Sequence, residues 1–205
     1  VAGRLGLTYV DTGAMYRAIA HLVLEKGISP DDEEAAGRLA ETIDLRLESD
    51  AEDQRVIANG VDVTPHIRTP EVSAAVARIA RIERVRKVLV QQQKALAAMG
   101  GVVMDGRDIG TTVLPDADVK IFLTASVEER ARRRYEQLKR SGWSGDAGLE
   151  QLAREIGERD DMDRSRPVSP LRKAEDAVVV DTTDLGIEEV VDLIVDICRR
   201  RMEKE

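Results

Sequence analysis

The stretch Val102-Val-Met-Asp-Gly-Arg-Asp-Ile-Gly-Thr111 reads as a strand that runs straight into a polar turn. Val102 to Met104 are apolar and predict a buried strand, which Asp105-Gly106 ends. Arg107 and Asp108 then fall at the carboxyl end of a strand, where open α/β sheets bind their ligands. A guanidinium offers a rigid fork of donors to a phosphate or a carbonyl edge, and the neighbouring carboxylate accepts from an amino group. Side by side they suit a nucleoside monophosphate, which has a phosphate at one end and a base at the other. Taken alone, the same pair is equally a salt bridge in a solvated turn.

Outward from this stretch, the chain alternates. Residues 7–10 predict a strand and 13–26 a helix closed by Gly27. Residues 30–43 predict a second helix, with Ser29 as N-cap and Pro30 in the first position. The period then shortens. Leu45-Arg-Leu-Glu alternates, Gln54-Arg-Val-Ile-Ala is a second run, and Asn59-Gly60 before Val61-Asp-Val is a hairpin signal. Thr69-Pro70 opens a helical region reaching about residue 99, broken near 81–83. Strands at 119–124 and 177–182 and helices at 127–140, 149–165 and 187–204 complete the chain. Strands separated by helices predict an α/β fold with a parallel sheet, carrying one small antiparallel patch.

Composition narrows the function. A chain of 205 residues is one domain, and 42% apolar residues suffice for a core. The net charge of −8 argues against non-specific nucleic-acid binding, which needs a basic field. Local arginine clusters in an acidic chain fit a small anion better. Cys198 stands alone, so there is no disulfide framework, and a reducing cytoplasm is the simplest setting. No apolar run approaches the ~20 residues of a membrane span, and no signal peptide is visible.

Three further clusters carry chemistry. Asp11-Thr-Gly-Ala-Met-Tyr-Arg17 runs from a strand end into a helix, and an arginine near a helix N-terminus makes an anion site; the alternative is an ordinary capped helix. Arg159, Asp163 and Arg166 follow an i, i+4, i+7 spacing and share a helix face, either as a surface ion pair or as a clamp on a ribose phosphate. Arg130-Ala-Arg-Arg-Arg134 is either a solvated helix face or a clamp for the phosphates of a second nucleotide. Trp143, the single tryptophan, follows in a Gly/Ser-rich turn where its fluorescence would report closure.

Together these residues resemble bacterial cytidylate kinase, of the nucleoside monophosphate kinase family. The resemblance runs the length of the chain. It rests on Asp11-Thr-Gly-Ala-Met-Tyr-Arg17, Ile67-Arg-Thr-Pro-Glu-Val72, Asp105-Gly-Arg-Asp-Ile-Gly110, Val119-Lys-Ile-Phe-Leu-Thr-Ala125 with Glu129-Arg130, and Glu158-Arg-Asp-Asp-Met-Asp-Arg164. It implies a P-loop-type three-layer α/β/α sheet in one kinase domain. Residues 1–38, 81–127 and 161–205 would form the core, 39–80 the antiparallel insertion that binds the monophosphate, and 128–160 the helical lid.

The resemblance also implies roles. Thr12 is among the substrate-binding positions, with a hydroxyl where some members have serine. Tyr16 and Asp163 would meet the ribose, supported by Arg159. Arg17, Arg107 and Arg166 would hold the acceptor phosphate through the transfer. Arg86 and Asp108 would read cytosine, the carboxylate taking the amino group and the guanidinium the ring acceptors. Arg130, Arg133 and Arg134 would belong to a lid over ATP. The donor would be ATP with Mg²⁺, with no dedicated protein ligand set for the metal. The acceptor would be CMP or dCMP, with neither nucleic acid nor membrane as partner and a monomer as the working state. Other outcomes are a kinase for UMP or shikimate, or a nucleotide-binding module without catalysis.

Two departures from the family pattern stand out. Ala77 occupies a position where the family usually has a serine that helps bind cytosine. The phosphate-binding loop Gly-x-x-x-x-Gly-Lys-Ser/Thr occurs nowhere in the chain. Val1 to Leu5 read as a helix tail that Gly6 ends. The expectation is therefore a native product extending roughly 20 residues upstream, the span of a strand, a loop and the start of a helix. That first strand would lie between those at 102–104 and 119–124, and the chain without it is expected to be poorly stable and weak or inactive as a kinase.

Overall fold

A computed structural model describes residues 1–49, 54–140, 142 and 148–202; Trp143 and the turn around it lie outside the described residues. A short helix α1 (Ala2–Leu5) leads into strand β1 (Thr8–Asp11) and helix α2 (Thr12–Glu25). Asp11 starts α2 by accepting the Ala14 amide at 2.9 Å, the usual means of satisfying a free N–H at a helix start. Helix α3 (Glu33–Thr42) begins three residues later than the sequence pattern predicts. Its N-cap is Asp32, not Ser29. Ser29 closes a turn by accepting the Asp32 amide on its carbonyl, and Glu33 and Glu34 then complement the helix dipole.

Strands β2 (Leu45–Ser49), β3 (Gln54–Ala58) and β4 (Val61–Asp62) form the expected antiparallel patch. Asn59 and Gly60 turn between β3 and β4 with φ of 50° and 81°, the left-handed pair that a two-residue hairpin requires. Helices α4 (Pro70–Ile79) and α5 (Glu83–Ala98) follow, and the break between them falls where predicted. Strand β5 (Val102–Asp105) pairs in parallel with β1, setting Asp11 opposite Asp105. A π turn over Ile109–Val113, absent from the sequence reading, follows β5. Its wide bonds, such as Leu114 N–H to Ile109 carbonyl at 2.7 Å, belong to a geometry that often marks functional sites.

Strand β6 (Ile121–Thr124), helices α6 (Val127–Arg140) and α7 (Leu149–Ser165), strand β7 (Val178–Asp181) and helix α8 (Ile187–Met202) complete the chain. β6 and β7 pair in parallel. The single parallel sheet predicted by the alternation is thus present as two pairs, β1–β5 and β6–β7, and among the described residues no strand joins them. Consequently Val102 to Met104 are only partly buried, and the prediction of a buried strand is corrected. Periodicity identifies strands, whereas burial depends on what flanks them.

The main core lies elsewhere. Met15, Ile19 and Val23 of α2 pack with Ala36 and Ala40 of α3, Val56 of β3, Val76 and Ile79 of α4, and Val85 and Leu89 of α5. Burying each larger side chain contributes roughly 1.5–3 kcal/mol. The many alanines let the helices approach closely. This block fixes one face of α2 and α5, which carry Tyr16, Arg17 and Arg86.

Candidate active site

The deepest polar group is a chain of alternating charges. Arg86 on α5 is 3% exposed, Asp108 at the end of β5 6%, and Arg166 at the end of α7 4%. Arg86 Nη2 donates to Asp108 Oδ2 at 2.5 Å, and Arg166 Nη2 lies 3.3 Å from Asp108 Oδ1. Arg166 Nη1 is 3.7 Å from Asp163 Oδ1, and Arg107 Nε donates to Asp163 Oδ2 at 3.0 Å. Buried ions survive when paired, and each charge here has an opposite neighbour. Arg86 also donates to the Ala80 carbonyl at 3.3 Å and lies 5.6 Å from the centre of the Tyr16 ring. Arg166 Nε donates to the Ser169 carbonyl.

Several polar atoms in this pocket lack partners. Tyr16 Oη, Arg86 Nε and Gln93 Nε2 are buried without a hydrogen bond among the described residues. Burial pushes the Tyr16 phenol up to about 12, against the opposing charge of Arg86. Buried polar atoms are usually satisfied, so these atoms have capacity for a ligand or for water.

A second group is all cation. Arg17 donates to Ser73 Oγ at 2.9 Å and to the Ile67 carbonyl at 3.4 Å. Burial holds it down to about 10, and the charges of Arg159, Arg68 and Arg134 push the same way. Burial, then neighbouring Arg107, lowers Arg159, and burial, then Arg68, lowers Arg134. Among the described residues no carboxylate forms an ion pair with Arg17, Arg134 or Arg159. The N-terminus of α2 adds its own partial positive charge. Asp11 acts the other way on Arg17, Asp163 and Asp160 on Arg159, and Glu155 on Arg134, without reversing the effect of burial, so an incoming anion would relieve the crowding further.

Between the two groups lie the strand ends. Thr12 Oγ1 donates to the Asp105 carbonyl at 2.7 Å. A Cβ at Gly106 would collide with that hydroxyl and with Ile109, so only glycine lets β5 pass so close to α2. Asp105 accepts from Tyr9 Oη at 3.0 Å, and its carboxyl is raised by desolvation and by the charge of Asp11 beside it. Gln54 ties the antiparallel patch to this edge: its Oε1 accepts the Asp11 amide at 2.9 Å and its Nε2 donates to the Tyr9 carbonyl at 2.6 Å.

The structure therefore gathers most of the sequence-derived positions. Thr12, Tyr16, Arg17, Arg86, Arg107, Asp108, Arg159, Asp163 and Arg166 converge from α2, α5, the β5 turn and α7. The lid arginines divide. Arg134 faces the cation group, and Arg130 pairs with buried Asp160 at 2.7 Å. Arg133, expected over ATP, instead bonds Glu129 at 2.7 Å, Thr182 Oγ1 at 3.0 Å and the carbonyls of Thr182 and Leu185. It fastens α6 to the end of β7, because both its Nη atoms find acceptors there while Nε is held by Glu129 on α6. Ala77 is buried on α4, one turn beyond Ser73. Gln54, Ser73, Gln93 and Asp160 were not anticipated. Asp160 lies inside the Glu158–Arg164 motif, and Gln93 lies seven residues after Arg86 on one helix face.

Helix-borne arginines that form no carboxylate ion pair among the described residues, beside a buried cluster of paired charges, fit an α/β protein that takes a phosphorylated small molecule. Comparison with known sequences narrows the class. The family described as cytidylate kinase matches residues 1–200. The chain is 50% identical over 201 residues to the cytidylate kinase of Carboxydothermus hydrogenoformans (strain ATCC BAA-161 / DSM 6008 / Z-2901), covering 98% of this chain and 90% of that protein. It is 51% identical over 202 residues to that of Geobacillus sp. (strain WCH70), with 98% and 89% covered. It is 50% identical over 196 residues to that of Bacillus subtilis (strain 168), with 96% and 87% covered. The chain belongs to the cytidylate kinase family.

Proposed function

We propose that this protein transfers the γ-phosphoryl group of ATP to CMP and dCMP. The observation that carries the reading is the pairing of a buried ion cluster at Arg86 and Asp108, with polar atoms left unbonded beside it, with a crowded arginine cluster at Arg17. A carboxylate has four lone-pair positions. Arg86 and Arg166 approach one oxygen of Asp108 each. Positions remain for the cytosine amino group, while Arg86 offers donors to the ring acceptors. Uracil would turn a carbonyl oxygen toward the carboxylate and leave a buried charge unmet. Asp163 and Tyr16 border the pocket where the ribose would lie. Arg17, Arg107 and Arg166 surround the acceptor phosphate.

Phosphoryl transfer needs placement and charge neutralisation more than proton chemistry, since the attacking oxygen is already an anion. The arginines supply that charge without moving during the reaction. Arg134, with Arg130 held by Asp160, is the lid's approach to the donor, and closure of α6 and α7 excludes water. Mg²⁺ bound to ATP would neutralise the charge of its phosphates. No described helix is long and apolar enough to cross a membrane.

The test is a panel of CMP, dCMP, UMP, AMP and shikimate, each titrated for binding and assayed for phosphoryl transfer from Mg-ATP. Preference for CMP and dCMP with turnover supports the reading. Binding of CMP with no turnover favours a non-catalytic nucleotide module. Preference for another acceptor refutes the roles of Arg86 and Asp108.

A further inference from the structure

The motif Ile67-Arg-Thr-Pro-Glu-Val72 carries one residue with no role so far. Arg68 lies in the turn before α4, and its Nη2 donates to Asp11 Oδ2 at 2.8 Å. The partners are unequal. The Asp11 side chain is 16% exposed and pinned by its cap bond to Ala14, whereas that of Arg68 is 56% exposed. Such solvent-facing pairs are weak and screened. The backbone beside Arg68 is fixed, since Ile67 is fully buried and its carbonyl accepts from Arg17. The side chain is long enough to turn about that anchor. Its charge acts on Arg17 and Arg134 and on Asp105, so it stands at the mouth of the cation group.

We propose that Arg68 is a further phosphate-binding residue, which exchanges Asp11 for the acceptor phosphate when the nucleotide binds. The proposal rests on the reading of this site as a CMP site. A phosphate monoester is close to a dianion at neutral pH and offers three acceptor oxygens, so it outcompetes the single Asp11 carboxylate oxygen for a guanidinium fork. Asp11 thus parks a cation that would otherwise add to the repulsion around Arg17, and releases it to the substrate.

The test titrates the chain with CMP and with cytidine, which lacks the phosphate. Arg68→Gln should weaken CMP binding about tenfold or more, as loss of a charged hydrogen bond does, and leave cytidine binding nearly unchanged. Arg68→Lys should fall between. Asp11→Asn keeps the helix cap, since asparagine caps as well as aspartate, and should tighten CMP binding. That gain should shrink in the double variant, which has no guanidinium to release. Unchanged CMP binding by Arg68→Gln, or equal losses for CMP and cytidine, overturns the proposal alone. Absence of CMP binding by the unmodified chain overturns the site reading and the proposal with it.

Discussion

Replacing Asp108 by asparagine removes the negative charge from between two buried guanidinium groups while keeping the side chain's shape. Breaking a buried pair by deleting one partner costs about 3–5 kcal/mol. Here Arg86 retains the Ala80 carbonyl at 3.3 Å, Arg166 retains Ser169 and Asp163, and the asparagine oxygen still accepts. The lower end, about 3 kcal/mol, therefore applies. For a domain of this size that is a fall in melting temperature of roughly 6–12 °C. Selectivity moves by a separate argument. A carboxylate at this position meets a donor on cytosine and a bare oxygen on uracil; an amide meets either. The wild-type penalty against uracil, about 1–3 kcal/mol or more for an unmet buried charge, should largely vanish. The ratio of UMP to CMP dissociation constants should fall by about fivefold or more in Asp108→Asn. Calorimetric titration with both nucleotides, beside thermal melts of the same samples, measures both quantities. A lower melting temperature with an unchanged ratio would mean that Asp108 holds the two arginines in place and never meets the base.

Arg17→Gln should weaken CMP binding about tenfold to a hundredfold through loss of a charged hydrogen bond, yet raise the melting temperature of the free protein slightly, because it removes a crowded cation. Calorimetry and melting of one sample give both signs. Arg133→Leu and Arg134→Gln should separate: the first lowers the melting temperature by loosening α6 from β7, and the second weakens ATP binding with little change in melting. Equal effects on ATP would restore Arg133 to the lid. Hydrogen bonds from Arg132 and Arg133 hold the Glu129 carboxyl down to about 2. Its folded value lies below its unfolded one, so its contribution is complete above the ordinary carboxylate range and lost as pH falls toward 2. Melting temperatures between pH 5 and 2.5 should therefore drop less steeply in Glu129→Gln.

What the sequence made legible follows the range of the physics involved. Helices α6 and α7 were predicted end to end, because apolar and charged periodicity and local caps are short-range signals. So was the Asn59-Gly60 hairpin. The late start of α3 turned on competition between Ser29 and Asp32, two adequate caps three residues apart. Burial of β5 depended on which strands flank it, which periodicity does not encode. At the site, residue types at strand and helix ends were readable. Arg133 shows the limit: its sequence neighbourhood is that of a lid arginine, and its fate was decided by Thr182, 49 positions away.

The two charge groups differ in a way that links stability to function. Around Asp108 the ions are paired before any ligand arrives, so the base pocket has its geometry at no cost to the binding step. Around Arg17 the cations repel, and burial adds to the penalty. Folding has to carry that strain, and an anion removes it. The phosphate end of the ligand should therefore stabilise the fold far more than the base end. At concentrations matched to their dissociation constants all ligands stabilise alike by mass action, so the informative comparison is at equal concentration. There CMP should raise the melting temperature well above cytidine, and inorganic phosphate should raise it measurably on its own. Arg17→Gln should abolish the effect of phosphate while sparing that of cytidine. If cytidine instead matched CMP, the arginine cluster would be balanced by something other than the ligand's phosphate, and the division of labour between the two groups would be wrong.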